Sequence, residues 1–122
     1  MGHEFEALSG QILEAAVEVH RALGPGFLES VYENALVVAF NHRGIRFERQ
    51  HEVHVSFEGQ EIGLHRLDLL VDGQIVVEIK AVKALEDIHF AQLKSYLKAT
   101  QLNTGLLLNF NAPILVVKRV VL

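Results

Sequence analysis

Three charged side chains interrupt two apolar runs within thirteen residues, and they restrict the possible folds of this chain more than any other feature. The stretch is Arg66 to Val82, RLDLLVDGQIVVEIKAV. Asp68 interrupts Leu67, Leu69, Leu70 and Val71, while Glu78 and Lys80 interrupt Ile75, Val76, Val77, Ile79, Ala81 and Val82. Both runs have the length and composition of buried strands, and Asp72-Gly73 between them is a turn in which glycine takes positive φ at little cost. An unpaired charge in such a sheet costs several kcal/mol, so a chain that keeps three is using them.

Strand parity sharpens this. Side chains alternate faces, so Glu78 and Lys80 point the same way. A two-residue Asp72-Gly73 loop would set Asp68 opposite Val77, on the wrong face. A three-residue loop, Val71-Asp72-Gly73 with Gly73 in the left-handed position of a bulge, pairs Leu70 with Gln74 and Asp68 with Val76. We therefore expect the odd loop, or an equivalent bulge elsewhere in the hairpin. Two carboxylates and an ammonium then converge, which is a site for a hard cation with a built-in lysine.

The length of 122 residues predicts one domain with a sizeable core. Without cysteine, disulfides, thiolate zinc sites, iron–sulfur clusters and cysteine nucleophiles are excluded. The apolar runs are too short to cross a bilayer, and Met1 to Ser9 is acidic rather than signal-like, so cytoplasm is the expected location and no membrane is expected as partner. The net charge of −4 argues against coating nucleic acid by bulk attraction. Residues 1–61 hold 4 Lys/Arg against 10 Asp/Glu and residues 62–122 hold 7 against 5, so the half with the carboxylates is the basic half.

From the N-terminus, Phe5, Leu8, Ile12, Ala15, Ala16, Val19 and Leu23 recur at helical spacing, and Gly24-Pro25 stops the helix, predicted over about residues 4–23. Glu4, Glu14, Glu18 and Arg21 are its solvated stripe, and His20 is a packing or capping residue. Gly26 opens a second helix with Leu28, Val31, Tyr32, Ala35, Leu36, Ala39 and Phe40 as its apolar stripe and Gly44 as terminator. Arg46 to Phe57 alternates as a half-exposed strand, and Glu58-Gly59 turns into the strand that carries Asp68. Ala84 to Ala99 is helical, with Leu85, Ile88, Gln92 and Tyr96 on one face and Phe90, Leu93 and Leu97 beside them. Thr104 to Phe110 and Ile114 to Leu122 are strands separated by an Asn111-Ala112-Pro113 turn. The order α-α-β-β-β-α-β-β, with a helix crossing between strands, implies an α/β (α+β) domain whose mixed central sheet is covered by helices.

Four segments carry a resemblance. Gly26-Phe27-Leu28-Glu29-Ser30-Val31-Tyr32 fits GxxExxY; with RLDLLVDGQIVVEIKAV, His89 to Leu97 (HFAQLKSYL) and Gly105 to Phe110 (GLLLNF), it resembles the bacterial GxxExxY protein family. That family belongs to the PD-(D/E)XK nuclease superfamily, and the likeness runs from about Ile12 to Val121. It implies a restriction-endonuclease-like core and a nuclease. The implied metal ligands are Asp68, Glu78 and the main-chain carbonyl of Ile79, and the motif lysine is Lys80. In the branch resembling RecB-type nucleases, a helical glutamate corresponds to Glu29 and a QxxxY helix to Gln92 and Tyr96. The proline expected before the aspartate is Leu67, a substitution frequent in the superfamily, and the path from Asn109-Phe110 to the last strand is short.

The implied chemistry is hydrolysis of phosphodiester bonds with Mg²⁺, or Mn²⁺ in its place, on nucleic acid, DNA rather than RNA. Lys80 would assist the attacking water or steady charge on the phosphate, Glu29 would reach the metal directly or through water, and Gln92 and Tyr96 would orient phosphate or lysine. Lys83, Lys94 and Lys98 are candidate phosphate contacts. Each has a plainer alternative: an internal ion-pair network for Asp68, Glu78 and Lys80, helix-end electrostatics for Glu29, a core hydrogen bond for Gln92 and Tyr96, and a solvated face for the lysines. His51 and His54 face opposite ways and make no zinc pair, while His89 is expected to pack. The net acidity also leaves room for a homodimer or protein partner that supplies grip, or for a non-catalytic accessory protein on the same fold.

Overall fold

The computed structural model describes residues 2–122, with side chains from Glu6 onward, so the expectations for Glu4 and Phe5 side chains lie outside the described residues. Helix α1 (Gly2–Leu23) buries Ile12, Ala15, Ala16 and Val19 along one stripe. It ends where Gly24 turns left-handed at φ 69° and returns its N–H to the His20 carbonyl at 2.8 Å. Helix α2 (Glu29–Arg43) buries Tyr32, Leu36, Ala39 and Phe40 and stops at the left-handed Gly44. It begins at Glu29, three residues later than the glycine pattern suggests. Leu28 is extended and 75% exposed, so it is no part of the apolar stripe.

Five strands follow: β1 (Phe47–Phe57), β2 (Gln60–Val71), β3 (Ile75–Lys80), β4 (Thr104–Asn109) and β5 (Val116–Val121), with helix α3 (Asp87–Thr100) crossing between β3 and β4. They form one sheet in the order β1-β2-β3-β4-β5, with β3–β4 parallel and the other pairs antiparallel. The expected order of elements and mixed sheet are therefore observed. On one face, α1 and α2 pack over Leu69, Val71, Ile75, Val77, Ile79, Leu106, Leu108 and Phe110. On the other, α3 packs over Leu67, Leu70, Val76, Leu107 and Val120.

The core face of α3 differs from expectation. Leu93 and Leu97 are its buried residues, with Phe90 and Tyr96 partly buried, whereas Ile88 and Gln92 are exposed. The helix also starts at Asp87, because Glu86 and His89 form a reciprocal capping box that fixes its first turn. His89 is thus a cap.

The central hairpin has the expected parity in a shifted register. Val71 pairs with Ile75, Leu70 with Val76 and Leu69 with Val77, so the loop is Asp72-Gly73-Gln74. Asp72 and Gly73 both take positive φ, at 51° and 63°, and the Gln74 N–H closes the turn on the Val71 carbonyl at 2.9 Å, leaving Gln74 as the extra residue. Continued by one step, this register sets Asp68 opposite Glu78 rather than Val76.

Candidate metal centre

Paired Cα positions between β2 and β3 end at Leu69 and Val77, one step short of the carboxylates. There the side chains take over the main-chain donors: the Asp68 N–H donates to Glu78 Oε2 at 2.8 Å, and the Ile79 N–H donates to Asp68 Oδ2 at 2.8 Å. Each carboxylate is anchored through one oxygen. Among the described residues, Asp68 Oδ1 and Glu78 Oε1 accept no hydrogen bond and remain available to a cation.

The pair is electrostatically strained. Glu78 is buried, and burial first and the Asp68 charge second push its carboxyl from 4.5 up to about 8. Burial likewise raises Asp68 from 3.8 to about 6, against the lowering influence of the Ile79 hydrogen bond and of Lys80. Glu29 raises both carboxyls and Glu33 raises Asp68, so four acidic groups from α2, β2 and β3 act on one place. A divalent cation is the kind of charge that relieves such a cluster, and the donor set, carboxylates and main chain, suits a hard one.

Lys80 stands half-buried at the end of β3. Among the described residues it enters no ion pair, and neither does Asp68. That speaks against an internal ion-pair network as the reason for these charges. Its position is held by the main chain. The Lys80 carbonyl accepts the Phe110 N–H at 2.9 Å, and the buried Asn109 amide clasps both the N–H and the carbonyl of Val82, at 3.1 and 2.9 Å.

Glu29 opens α2 and is exposed. The tyrosine three residues on explains how its loop is held. The Tyr32 hydroxyl donates to the Gly24 carbonyl at 2.6 Å and accepts the Phe27 N–H at 3.1 Å, while its ring stacks on Phe110 with centroids 4.6 Å apart. The last residue of GxxExxY thus clamps the loop that runs from Gly24 into the motif.

Two residues near the carboxylates escaped the sequence reading. Glu33, one turn beyond Glu29, is buried and held by Arg49 at 2.8 Å and Gln50 at 2.9 Å. Its i, i+4 spacing from Glu29 was the available signal. His65 has its Nε2 3.6 Å from Glu78 Oε1, and its ring stacks on Tyr96 at 3.8 Å and 11°. Strict alternation puts His65 and Asp68 on opposite faces, but alternation fails between them. Leu67 joins the α3-side core and Leu69 the α1/α2-side core, and Gln50, between the pairs Arg49–Leu69 and His51–Leu67, takes φ 50°. Burial and then the Lys80 charge lower the His65 pKa. Burial, Glu78 and Asp68 raise that of Tyr96.

The remaining candidates are less engaged. Gln92, one turn before Tyr96, is exposed and so makes no core hydrogen bond, and Lys83, Lys94 and Lys98 are exposed. Among the described residues no three His, Asp or Glu side chains are already drawn together as a finished cage. None of the described hollows includes the carboxylates; the largest, about 760 Å³, lies along α1 and is lined by Leu13, Glu14, Val17, Glu18 and Arg43 among others.

No described helix is long and apolar enough to cross a membrane. No curated protein and no solved structure matches the chain. A family model of the PD-(D/E)XK nuclease superfamily matches residues 6–120. That span contains both anchored carboxylates, the lysine beside them and all but the last residue of the sheet that holds them, and on it the chain belongs to the PD-(D/E)XK nuclease superfamily.

Proposed function

We propose that this protein is a divalent-metal-dependent nuclease of the GxxExxY group, in the RecB-like branch, hydrolysing phosphodiester bonds of DNA in preference to RNA in the cytoplasm. The observation that carries the reading is the reciprocal clamp, which holds Asp68 and Glu78 face to face with one free oxygen each and Lys80 unpaired at the same strand end. Mg²⁺, or Mn²⁺ in its place, neutralises charge on a phosphate and acidifies a water when bound. Asp68 and Glu78 would hold the ion, with the Ile79 carbonyl and Glu29 as further donors. Lys80 orients the attacking water and steadies negative charge as it develops on the phosphate, a role suited to a compact ammonium. Tyr96 and Gln92 border the phosphate, and Lys83, Lys94 and Lys98 supply contacts to its neighbours along the strand.

The net charge of −4 favours a helper, a second copy of the chain or another protein, that adds grip on the polyanion. The same acidity is what supports the second reading, an accessory protein that binds metal or nucleic acid without cutting. Cleavage of labelled single- and double-stranded DNA and RNA, with Mg²⁺, Mn²⁺ or chelator, separates the two. Metal-dependent cutting should fall by roughly a hundredfold or more in folded Lys80→Ala and Asp68→Ala proteins. Cutting that survives both substitutions would remove the site from the reaction, and metal binding without cutting on any substrate would leave the accessory protein.

A further inference from the structure

A buried side-chain nitrogen near the carboxylates has no bonding partner among the described residues. His65 Nε2 is shut off from solvent and, among the described residues, has no hydrogen-bond partner, although the imidazole as a whole is about one-third exposed at 34%. It lies 3.6 Å from Glu78 Oε1, the carboxylate oxygen that the main-chain clamp leaves free. That gap is too long for a hydrogen bond. It exceeds by roughly half an ångström the ~3.0 Å that separates neighbouring ligands of an octahedral cation, each about 2.1 Å from it, so a small inward shift of the two groups brings both onto one ion. The ring is not free to swing away, because it lies flat on Tyr96 with centroids 3.8 Å apart. An unbonded buried polar atom held in place calls for a missing partner.

We propose that His65 is a metal ligand of this site, contributing Nε2 beside the free oxygens of Glu78 and Asp68, with Tyr96 as the positioning residue that fixes the plane of the ring. The proposal rests on the metal-dependent reading above and deepens it by assigning the selectivity of the site. An all-oxygen set suits Mg²⁺, whereas one imidazole shifts preference toward Mn²⁺ and other first-row transition ions. The break in strand alternation before Asp68 is what makes the arrangement possible. A regular strand would turn His65 away from the carboxylates, and the shift of Leu67 to the α3-side core turns it toward them.

Mn²⁺ binding followed by electron paramagnetic resonance tests this without reference to cleavage. Bound Mn²⁺ in the wild-type protein should show the ¹⁴N modulation of a coordinated imidazole, and growth on ¹⁵N-histidine should replace it with that of ¹⁵N. His65→Gln should lose the modulation, bind Mn²⁺ about tenfold more weakly and show a smaller preference for Mn²⁺ over Mg²⁺. Bound Mn²⁺ with no nitrogen modulation in the wild type overturns the assignment of His65, as does modulation that persists in His65→Gln. The ¹⁵N arm establishes that a histidine is the ligand even if that variant does not fold, and since the chain has seven histidines, His65→Asn is the second variant that assigns the modulation to His65. Absence of any bound Mn²⁺, or binding unaffected by Asp68→Ala, overturns the metal site itself, a result distinct from a nitrogen-free ion held by Asp68 and Glu78.

Discussion

Glu78 is the residue at which stability and the proposed function oppose each other. Its folded pKa of about 8 lies above the ordinary 4.5, so the folded chain binds a proton that the unfolded chain releases. The associated stability is complete below about pH 4.5 and is lost as pH rises through about 8; Asp68 adds a smaller loss between 3.8 and about 6. Glu78→Gln keeps an oxygen for the Asp68 N–H but cannot ionise. In chelator it should melt several °C above wild type at pH 8, with the gap nearly closed at pH 5. Thermal melts at both values check this, and an equal gap at both would dissociate the effect from ionisation. Saturating Mg²⁺ should narrow the gap at pH 8, since it stabilises only the charged pair. Asp68, Glu78 and Lys80 were legible because charges stand out in apolar strands. Glu33 and His65 were not: the first is one polar residue among many on a helix, and the second is visible only once the alternation is known to fail.

The elements were legible where a local rule governs them and displaced where tertiary contacts do. Gly24 and Gly44 end their helices as glycine should, yet α2 starts at Glu29 because the preceding loop is tied down by the Tyr32 hydroxyl rather than wound into helix. Tyr32→Phe leaves the Gly24 carbonyl and the Phe27 N–H without that partner. We expect a loss of about 1 kcal/mol in chemical denaturation, with weaker metal binding as the Glu29 turn loosens. Unchanged metal affinity at the reduced stability would confine the clamp to structure. For α3, periodicity alone did not choose between the Ile88–Gln92 and Leu93–Leu97 faces. The choice follows from Gly105 on β4, where a Cβ would stand 2.8 and 2.9 Å from the two Leu93 methyls. Leu93 is 1% exposed and cannot retreat. Gly105→Ala should therefore cost about 1–3 kcal/mol in denaturant melts, partly recovered by Leu93→Val. Tolerance of the alanine would mean that α3 rides more loosely on the sheet.

At the scale of the molecule, the order of elements and the mixed sheet followed from the strand and helix periods and the crossover. The meeting of α2 with the hairpin could not be read that way, since it depends on Glu33 receiving Arg49 and Gln50 across 16 and 17 residues. Gln50 joins these scales. It is left-handed in the middle of β1, and a second irregularity follows at Val55/Ser56, so this outermost strand is broken twice in eleven residues. An intact edge of that length would present a continuous row of main-chain donors and acceptors to any chain drifting past, the geometry from which fibrils grow. The same kink that accompanies the turn of His65 toward the carboxylates thus denies neighbouring molecules a template. The exposed Phe57, Ile62 and Leu64 at the hairpin tip therefore sit beside an edge poorly shaped for pairing with another chain.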